Sequence, residues 1–160
     1  MKMGLALLAL TAAGAATAQE RTLDLTVPGN VVTALQAAGY KAKLEINKAG
    51  EPFISSGANG SPFTVEFYGC EGLKTCQSIQ FSSWYKKQPH FTPALVNEWN
   101  SRWRFLKIFI DKDGDLVEHV DMSTVGGVTQ ANFADMVDWY VQMDARLTTF
   151  LREKAPPAAK

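Results

Sequence analysis

The chain has 160 residues, and its 16 basic and 16 acidic side chains leave it with no formal net charge at neutral pH. This balance argues against the broadly basic surface that holds nucleic acid or an anionic membrane, and against an acidic block for a cationic partner. Four Trp, four Tyr and nine Phe make the chain rich in aromatic residues. Its length suits one domain with a full hydrophobic core.

The beginning of the chain has the layout of a secretory signal peptide. Lys2 supplies a positive start, residues 4–16 are small or apolar and uncharged, and a small-x-small cleavage sequence ends at Ala18. The apolar run, about 13 residues long, is too short to cross a bilayer comfortably. We therefore expect residues 1–18 to be removed, and we predict a periplasmic or secreted protein with no integral membrane segment in its mature part.

Cys70 and Cys76 are the only two cysteines. In an exported protein, such a pair enclosing a short loop is interpreted as a disulfide, with two free thiols as the alternative. A metal site needs more ligands than two thiols, and neither histidine lies close in the sequence. The sequence therefore predicts no metal site and no cofactor.

The first half of the mature chain predicts one helix and four strands. Residues 19–27 form a polar lead-in with some strand character, and Asn30 is expected to cap a helix over residues 30–39. Residues 57–62, rich in Gly, Asn and Ser, are expected to form a loop. Alternating apolar and polar residues are typical of half-buried antiparallel strands, and they predict strands near residues 42–46, 53–55, 63–68 and 79–85.

The second half predicts two helices around a pair of strands. Thr92 and Pro93 favour the start of a helix that ends near residue 103. Residues 105–110 are so densely apolar that we expect a central strand of the sheet. A returning strand follows over residues 116–122. Thr129 is expected to cap the last helix, whose apolar residues keep helical spacing for about six turns.

The element order is therefore helix, four strands, helix, two strands, helix. Runs of strands between isolated helices favour an α+β fold, in which an antiparallel sheet of about five to six strands packs with three helices. No alternating βαβ units are predicted, which argues against a Rossmann-like fold. We expect one domain over residues 28–153 and a flexible tail over residues 154–160.

Two polar groups suggest chemistry. His119 and Asp121 share one face of a predicted strand, as a general base oriented by a carboxylate would, although a surface polar pair looks the same and is the preferred interpretation. The chain has no G-x-S-x-G motif, so we predict no catalytic residues and a protein that is not an enzyme. The acidic run over residues 111–115 departs from a calcium loop because its Gly stands at position 4, which favours a hairpin turn.

Several aromatic residues fall where a partner could reach them. Trp84 and Tyr85 end a predicted strand, Phe91 lies in the loop that follows, and Trp139 falls outside the apolar stripe of the last helix. Trp is enriched at interface hot spots, and exposed apolar patches mark interaction sites. These four residues are the predicted partner-binding residues, with a partly buried edge of the core as the alternative.

An ordered set of short segments resembles the YbjN family, whose members are described as bacterial sensory transduction regulators. The resemblance implies a fold similar to that of type III secretion chaperones, with helices against an antiparallel sheet and frequent dimers, and it implies no enzymatic residues. The segments are Phe67-Tyr68-Gly69-Cys70, Cys76-Gln77-Ser78-Ile79-Gln80-Phe81, Val96-Asn97-Glu98-Trp99-Asn100, Arg104-Phe105, Asp111 to Asp115, Gly126-Gly127-Val128, Asn132-Phe133 and Asp138-Trp139.

The leading functional expectation is a non-enzymatic, exported, YbjN-like module that binds a protein or peptide. One alternative is a binder of a small molecule or envelope component with weak hydrolase activity centred on His119 and Asp121. Another is a structural homodimer, formed through the last helix or by strand addition. No nucleic-acid partner is expected.

Overall fold

The computed structural model describes residues 22–72 and 74–156, so the predicted signal peptide lies outside the described residues. Three helices and two antiparallel sheets make up this part of the chain, which confirms the predicted α+β fold. In chain order the elements are β1 (Thr22–Leu23), α1 (Pro28–Ala37), β2 (Lys41–Ile46), β3 (Pro52–Ala58), β4 (Ser61–Tyr68), β5 (Ser78–Tyr85), α2 (Pro93–Arg102), β6 (Lys107–Ile110), β7 (Leu116–Ser123), β8 (Val128–Thr129) and α3 (Gln130–Lys154).

The larger sheet has six strands in the order β2-β3-β4-β5-β7-β6, and every neighbouring pair is antiparallel. β1 and β8 form a separate two-stranded sheet. Across residues 22–72 and 74–156, none of the helices combines the length and apolar character that a membrane crossing requires.

The core lies between the helices and one face of the large sheet. Because side chains alternate along each strand, β5 buries Ile79 and Phe81 while β7 buries Val120. The ring of Tyr140 on α3 lies 5.2 Å from that of Phe63 and 5.7 Å from that of Phe81, measured between centroids. Full burial of side chains of this size contributes about 1.5–3 kcal/mol each. These contacts hold α3 against the sheet.

Two of the three predicted helix caps are confirmed. The Thr92 side chain accepts a hydrogen bond from the Leu95 amide at 3.2 Å, and Thr129 accepts one from the Asn132 amide at 3.1 Å. Each cap of this kind contributes about 1 kcal/mol. The predicted cap at Asn30 is wrong: the first helix begins two residues earlier, because proline at its first position already has the helical φ angle.

The predicted loop over residues 57–62 is also wrong. β3 and β4 stay paired until Ala58 faces Ser61, so that only Asn59 and Gly60 form the turn. Both turn residues have positive φ, 52° and 82°, which is the conformation that joins twisted strands through two residues. The Gly- and Asn-rich composition therefore reflects the needs of a tight hairpin turn and not a longer loop.

The expectation that residues 105–110 form a central strand is wrong, because β6 is an edge strand of the sheet. Its apolar character has two separate causes. Ile108 is 2 % exposed in the core, whereas Phe109 on the opposite face is 44 % exposed. The Asn100 side chain on α2 donates to the Ile108 carbonyl at 2.9 Å and accepts from its amide at 3.0 Å, so α2 covers this edge.

Cys70 and Cys76 form a disulfide, which confirms that prediction. An intramolecular disulfide is typical of proteins in a non-reducing compartment. The bond closes the turn between β4 and β5, next to the point where the Cys76 amide donates to the Thr26 carbonyl at 2.8 Å.

Replacing both cysteines with serine should lower the free energy of unfolding by about 2 kcal/mol, because the bond closes only a short loop in the unfolded chain. Urea denaturation of the double variant and the wild type, monitored by circular dichroism, measures this difference. Wild-type protein treated with reductant is the control and should match the variant. If the double variant and the reductant-treated wild type were both fully unfolded without denaturant, the prediction would be contradicted.

Candidate functional site: the open face of the large sheet

One face of the large sheet carries side chains that point away from the core, and we call it the open face. Strand alternation puts polar and aromatic residues here, opposite the buried positions of the same strands. Its members on the four consecutive strands β4, β5, β7 and β6 are Thr64, Glu66, Tyr68, Gln80, Ser82, Trp84, Val117, His119, Asp121, Lys107 and Phe109.

A polar cluster on the open face joins β5 and β7. His119 Nδ1 lies 3.0 Å from Oδ2 of Asp121, and Gln80 Nε2 donates to the other carboxylate oxygen of Asp121 at 2.8 Å. The same Gln80 nitrogen is 3.2 Å from His119 Nδ1. When Nδ1 carries the imidazole proton, it donates to Asp121 and leaves Nε2 as an acceptor. The ring is thereby oriented by the carboxylate.

Tyr68 extends the cluster onto β4. Its hydroxyl donates to the Glu66 carboxylate at 2.7 Å and lies 3.3 Å from Oε1 of Gln80. Burial of the ring, followed by the hydrogen bond to Glu66, raises the pKa of Tyr68 above its ordinary value. The phenol therefore remains a proton donor at physiological pH. The hydrogen bond from Gln80 Nε2 to Asp121 orients the Gln80 amide.

An apolar row crosses the open face beside this cluster. Val117 on β7 pairs with Trp84 on β5 and with Phe109 on β6, so the three side chains are cross-strand neighbours. Trp84 is 56 % exposed and Phe109 is 44 % exposed. The edge of the Phe109 ring also meets His119, with 5.6 Å between ring centroids. Large aromatic side chains are thus left in solvent next to an ordered hydrogen-bonded cluster.

A depression of about 320 Å³ adjoins the row on its β3–β4 side. Aromatic walls come from Phe53, Tyr68 and Trp84, and carboxylates come from Glu51 and Glu66. A side chain with an apolar stem and a hydrogen-bond-donating or cationic tip matches this lining, since aromatic faces and carboxylates both attract cations.

The four predicted partner-binding residues do not form one patch. Trp84 lies on the open face, but Tyr85 points the opposite way and its hydroxyl donates to Asp144 on α3 at 3.0 Å. Phe91 is partly buried against the core. Trp139 on α3 stacks on Phe105 with 4.9 Å between ring centroids. The structure instead brings Trp84 onto the same face as His119 and Asp121, which the sequence analysis treated separately.

The His119–Asp121 pair has no aligned hydroxyl nucleophile beside it among the described residues. Ser82 is the cross-strand neighbour of His119, yet its hydroxyl donates to the Glu118 carbonyl at 3.1 Å. A hydrolytic dyad needs the hydroxyl hydrogen-bonded to the imidazole. Ser82 and His119 therefore do not form such a dyad in this structure.

The acidic run between β6 and β7 is the predicted hairpin turn. Asp111 accepts hydrogen bonds from the amides of Asp113 and Asp115, each at 2.9 Å. The Lys86 ammonium at 2.7 Å, and then the Lys87 amide, lower the pKa of Asp115. Within residues 22–72 and 74–156, no group of three or more His, Cys, Asp or Glu side chains is placed to hold a metal ion.

A buried carboxyl lies on the core side of β7. Glu118 is 0 % exposed, and its Oε1 accepts a hydrogen bond from the Tyr140 hydroxyl at 2.9 Å. Its Oε2 has no partner of this kind in the described part of the chain. Burial, and then the nearby Asp144 carboxylate, raise the pKa of Glu118 to about 8. The group therefore carries a proton at neutral pH.

The chain is similar to known proteins in both its sequence and its fold. The family model of YbjN, described as a putative bacterial sensory transduction regulator, matches residues 28–153. The crystal structure of YbjN, described as a putative transcription regulator from E. coli, superposes with a TM-score of 0.54 and 17% identity over 82% of this chain and 93% of that chain. At this identity the likeness shows the fold alone. None of the curated proteins is a significant match.

Proposed function

Since the chain belongs to the YbjN family, we propose that it is an exported, non-enzymatic regulatory module that binds a protein or peptide partner on its open face. The observation that carries this proposal is the row of Trp84, Val117 and Phe109. Aromatic side chains exposed to this extent in one row are typical of interaction surfaces, and truncating a central Trp usually removes much of the binding energy.

The polar cluster beside the row supplies specificity. The hydrogen bond between Gln80 and Asp121 orients both side chains before a partner binds. A partner with complementary donors and acceptors therefore binds them with little loss of side-chain rotamer entropy. Carboxylates outnumber cations around the depression, which favours a partner segment with a basic or amide side chain next to an apolar one. Binding rather than hydrolysis is supported by the Ser82 hydroxyl, which is committed to the Glu118 carbonyl.

Export is supported by the signal-peptide pattern of residues 1–18 together with the disulfide. We expect cell fractionation to recover a chain that begins at Gln19 outside the cytosol, with Cys70 and Cys76 resistant to alkylation before reduction. An uncleaved chain in the cytosolic fraction, with both thiols alkylated, would contradict export. The partner-binding proposal is tested separately.

Replacing Trp84 with Ser should weaken partner capture from envelope extract by at least about 30-fold, because a hot-spot Trp contributes about 2 kcal/mol or more. Immobilised wild-type protein and the variant are compared at equal loading by quantitative mass spectrometry. Trp139→Ser is the matched control, since it removes an indole of similar size that is 37 % exposed on α3. Equal capture by the Trp84→Ser variant, or loss only in the control, would contradict the proposal.

A further inference from the structure

The strand β2 forms the other edge of the large sheet, and it differs from the covered edge at β6. Leu44 and Ile46 lie on the core-facing side of this strand, yet they are 42 % and 59 % exposed. An edge strand presents unpaired backbone N–H and C=O groups that can pair with another strand, and exposed apolar side chains along it favour that pairing. The sheet therefore extends beyond the cover that the helices provide.

The alternation of hydrogen-bonded and non-hydrogen-bonded pairs between β2 and β3 identifies which backbone groups of β2 point outwards. The Asn47 amide donates to the Glu51 carbonyl at 2.9 Å, across the end of the β2–β3 pair. Since paired and unpaired residues alternate in an antiparallel ladder, Lys43 and Glu45 direct their backbone groups towards β3. The backbone N–H and C=O groups of Ala42, Leu44 and Ile46 consequently point away from the sheet. In agreement with this, the Ala42 carbonyl accepts a hydrogen bond from Nε2 of the Gln36 side chain at 3.2 Å.

The charges on β2 select one register for pairing with a second copy. A two-fold axis at Lys43 or at Glu45 would place two like charges directly opposite each other, which is destabilising. An axis at Leu44 places Lys43 opposite Glu45 of the second copy, twice. In the same register, the outward backbone groups of Leu44 pair with those of Leu44 in the second copy. Ile46 then lies directly opposite Ala42 of the second copy.

We infer that this protein forms a two-fold dimer through antiparallel pairing of β2 with β2 of a second copy, centred on Leu44. The pairing covers the exposed Leu44 and Ile46 and gives hydrogen-bond partners to their outward backbone groups, with the Ala42 carbonyl accepting a second hydrogen bond beside that from Gln36. It joins the two six-stranded sheets into one continuous sheet, and both open faces then lie on the same side. This inference does not depend on the proposed function.

Charge substitutions test the register through sedimentation equilibrium of the purified protein. Glu45→Lys should raise the dimer dissociation constant at least about tenfold, since it turns each of the two Lys43–Glu45 contacts into a contact between two lysines. The double exchange Lys43→Glu with Glu45→Lys should restore dimerisation. Lys41→Glu is the matched control and should leave the dimer intact, because Lys41 lies opposite the uncharged Asn47. A monomeric wild type at about 100 μM, or failure of the exchange to restore the dimer, would overturn the inference.

Disulfide trapping provides a second test that does not depend on affinity. Leu44→Cys should form a cross-linked dimer on mild oxidation, because directly opposed residues of this type have Cα atoms about 5.5 Å apart. Ile46→Cys on the same face should not, since its two copies are offset by four residues, or about 13 Å. Cross-linking of Ile46→Cys, or no cross-linking of Leu44→Cys, would overturn the register.

Discussion

Replacing Glu118 with Gln should raise the free energy of unfolding by about 4 kcal/mol above pH 8 and change it little below pH 4.5. The pKa of Glu118 is raised from 4.5 to about 8 in the folded protein, and each unit corresponds to about 1.4 kcal/mol. Between these values the folded state binds more protons than the unfolded state, so this carboxyl lowers the stability of the wild type as pH rises. Gln reproduces the protonated carboxyl without a titrating charge.

The test is urea denaturation of the wild type and of Glu118→Gln at pH 5, 7 and 9. The difference between the two proteins should grow with pH, and the pH dependence of the variant should be flatter. Glu71→Gln is the control, since Glu71 is exposed and its replacement should leave the wild-type profile unchanged. Parallel curves for the wild type and Glu118→Gln would contradict a buried, proton-retaining Glu118.

Replacing Asn100 with Ala should lower the free energy of unfolding by about 2–6 kcal/mol. The Asn100 amide pairs with both the N–H and the C=O of Ile108, where β6 has no neighbouring strand. Alanine leaves both partly buried backbone groups unpaired, and each costs about 1–3 kcal/mol. Among the described residues, the helix α2 keeps only the hydrogen bonds from the Lys107 ammonium to the carbonyls of Asn100 and Trp103 as polar contacts with β6.

Denaturant unfolding at pH 7 measures this loss, and Asn97→Ala is the matched control. Asn97 lies on the same helix but is exposed, so its replacement should change stability by less than about 0.5 kcal/mol. Hydrogen exchange of the Ile108 amide should accelerate in the Asn100 variant alone. Equal effects of the two substitutions would show that helix propensity, and not the contact with β6, determines the result.

The elements that local pattern determines could be predicted from the sequence. The alternation in β4, β5 and β7 depends on the burial of one sheet face, and Thr92 and Thr129 cap helices through contacts within one turn. The position of β6 in the sheet could not be predicted in this way. Its apolar density arises from burial of Ile108 on one side and exposure of Phe109 on the other, and a single sequence does not distinguish this from burial on both sides.

The candidate site was only partly predictable for a related reason. Trp84 and the His119–Asp121 pair were each recognised, but their shared face depends on the register between β5 and β7. Tyr68, Gln80 and Phe109 were not among the site residues predicted from the sequence. Alternation in their strands was a usable signal for Tyr68 and Gln80, since it places them opposite the buried residues. The contacts among them depend on pairing between strands, which local periodicity does not specify.

Site-specific photo-crosslinking in intact cells tests the central claim, binding on the open face, most directly. A benzophenone amino acid in place of Val117 stands between Trp84 and Phe109, and the same residue in place of Ala145 stands on the exposed side of α3. The account predicts a covalent partner adduct from position 117 and none from position 145. An adduct from position 145 alone would contradict it.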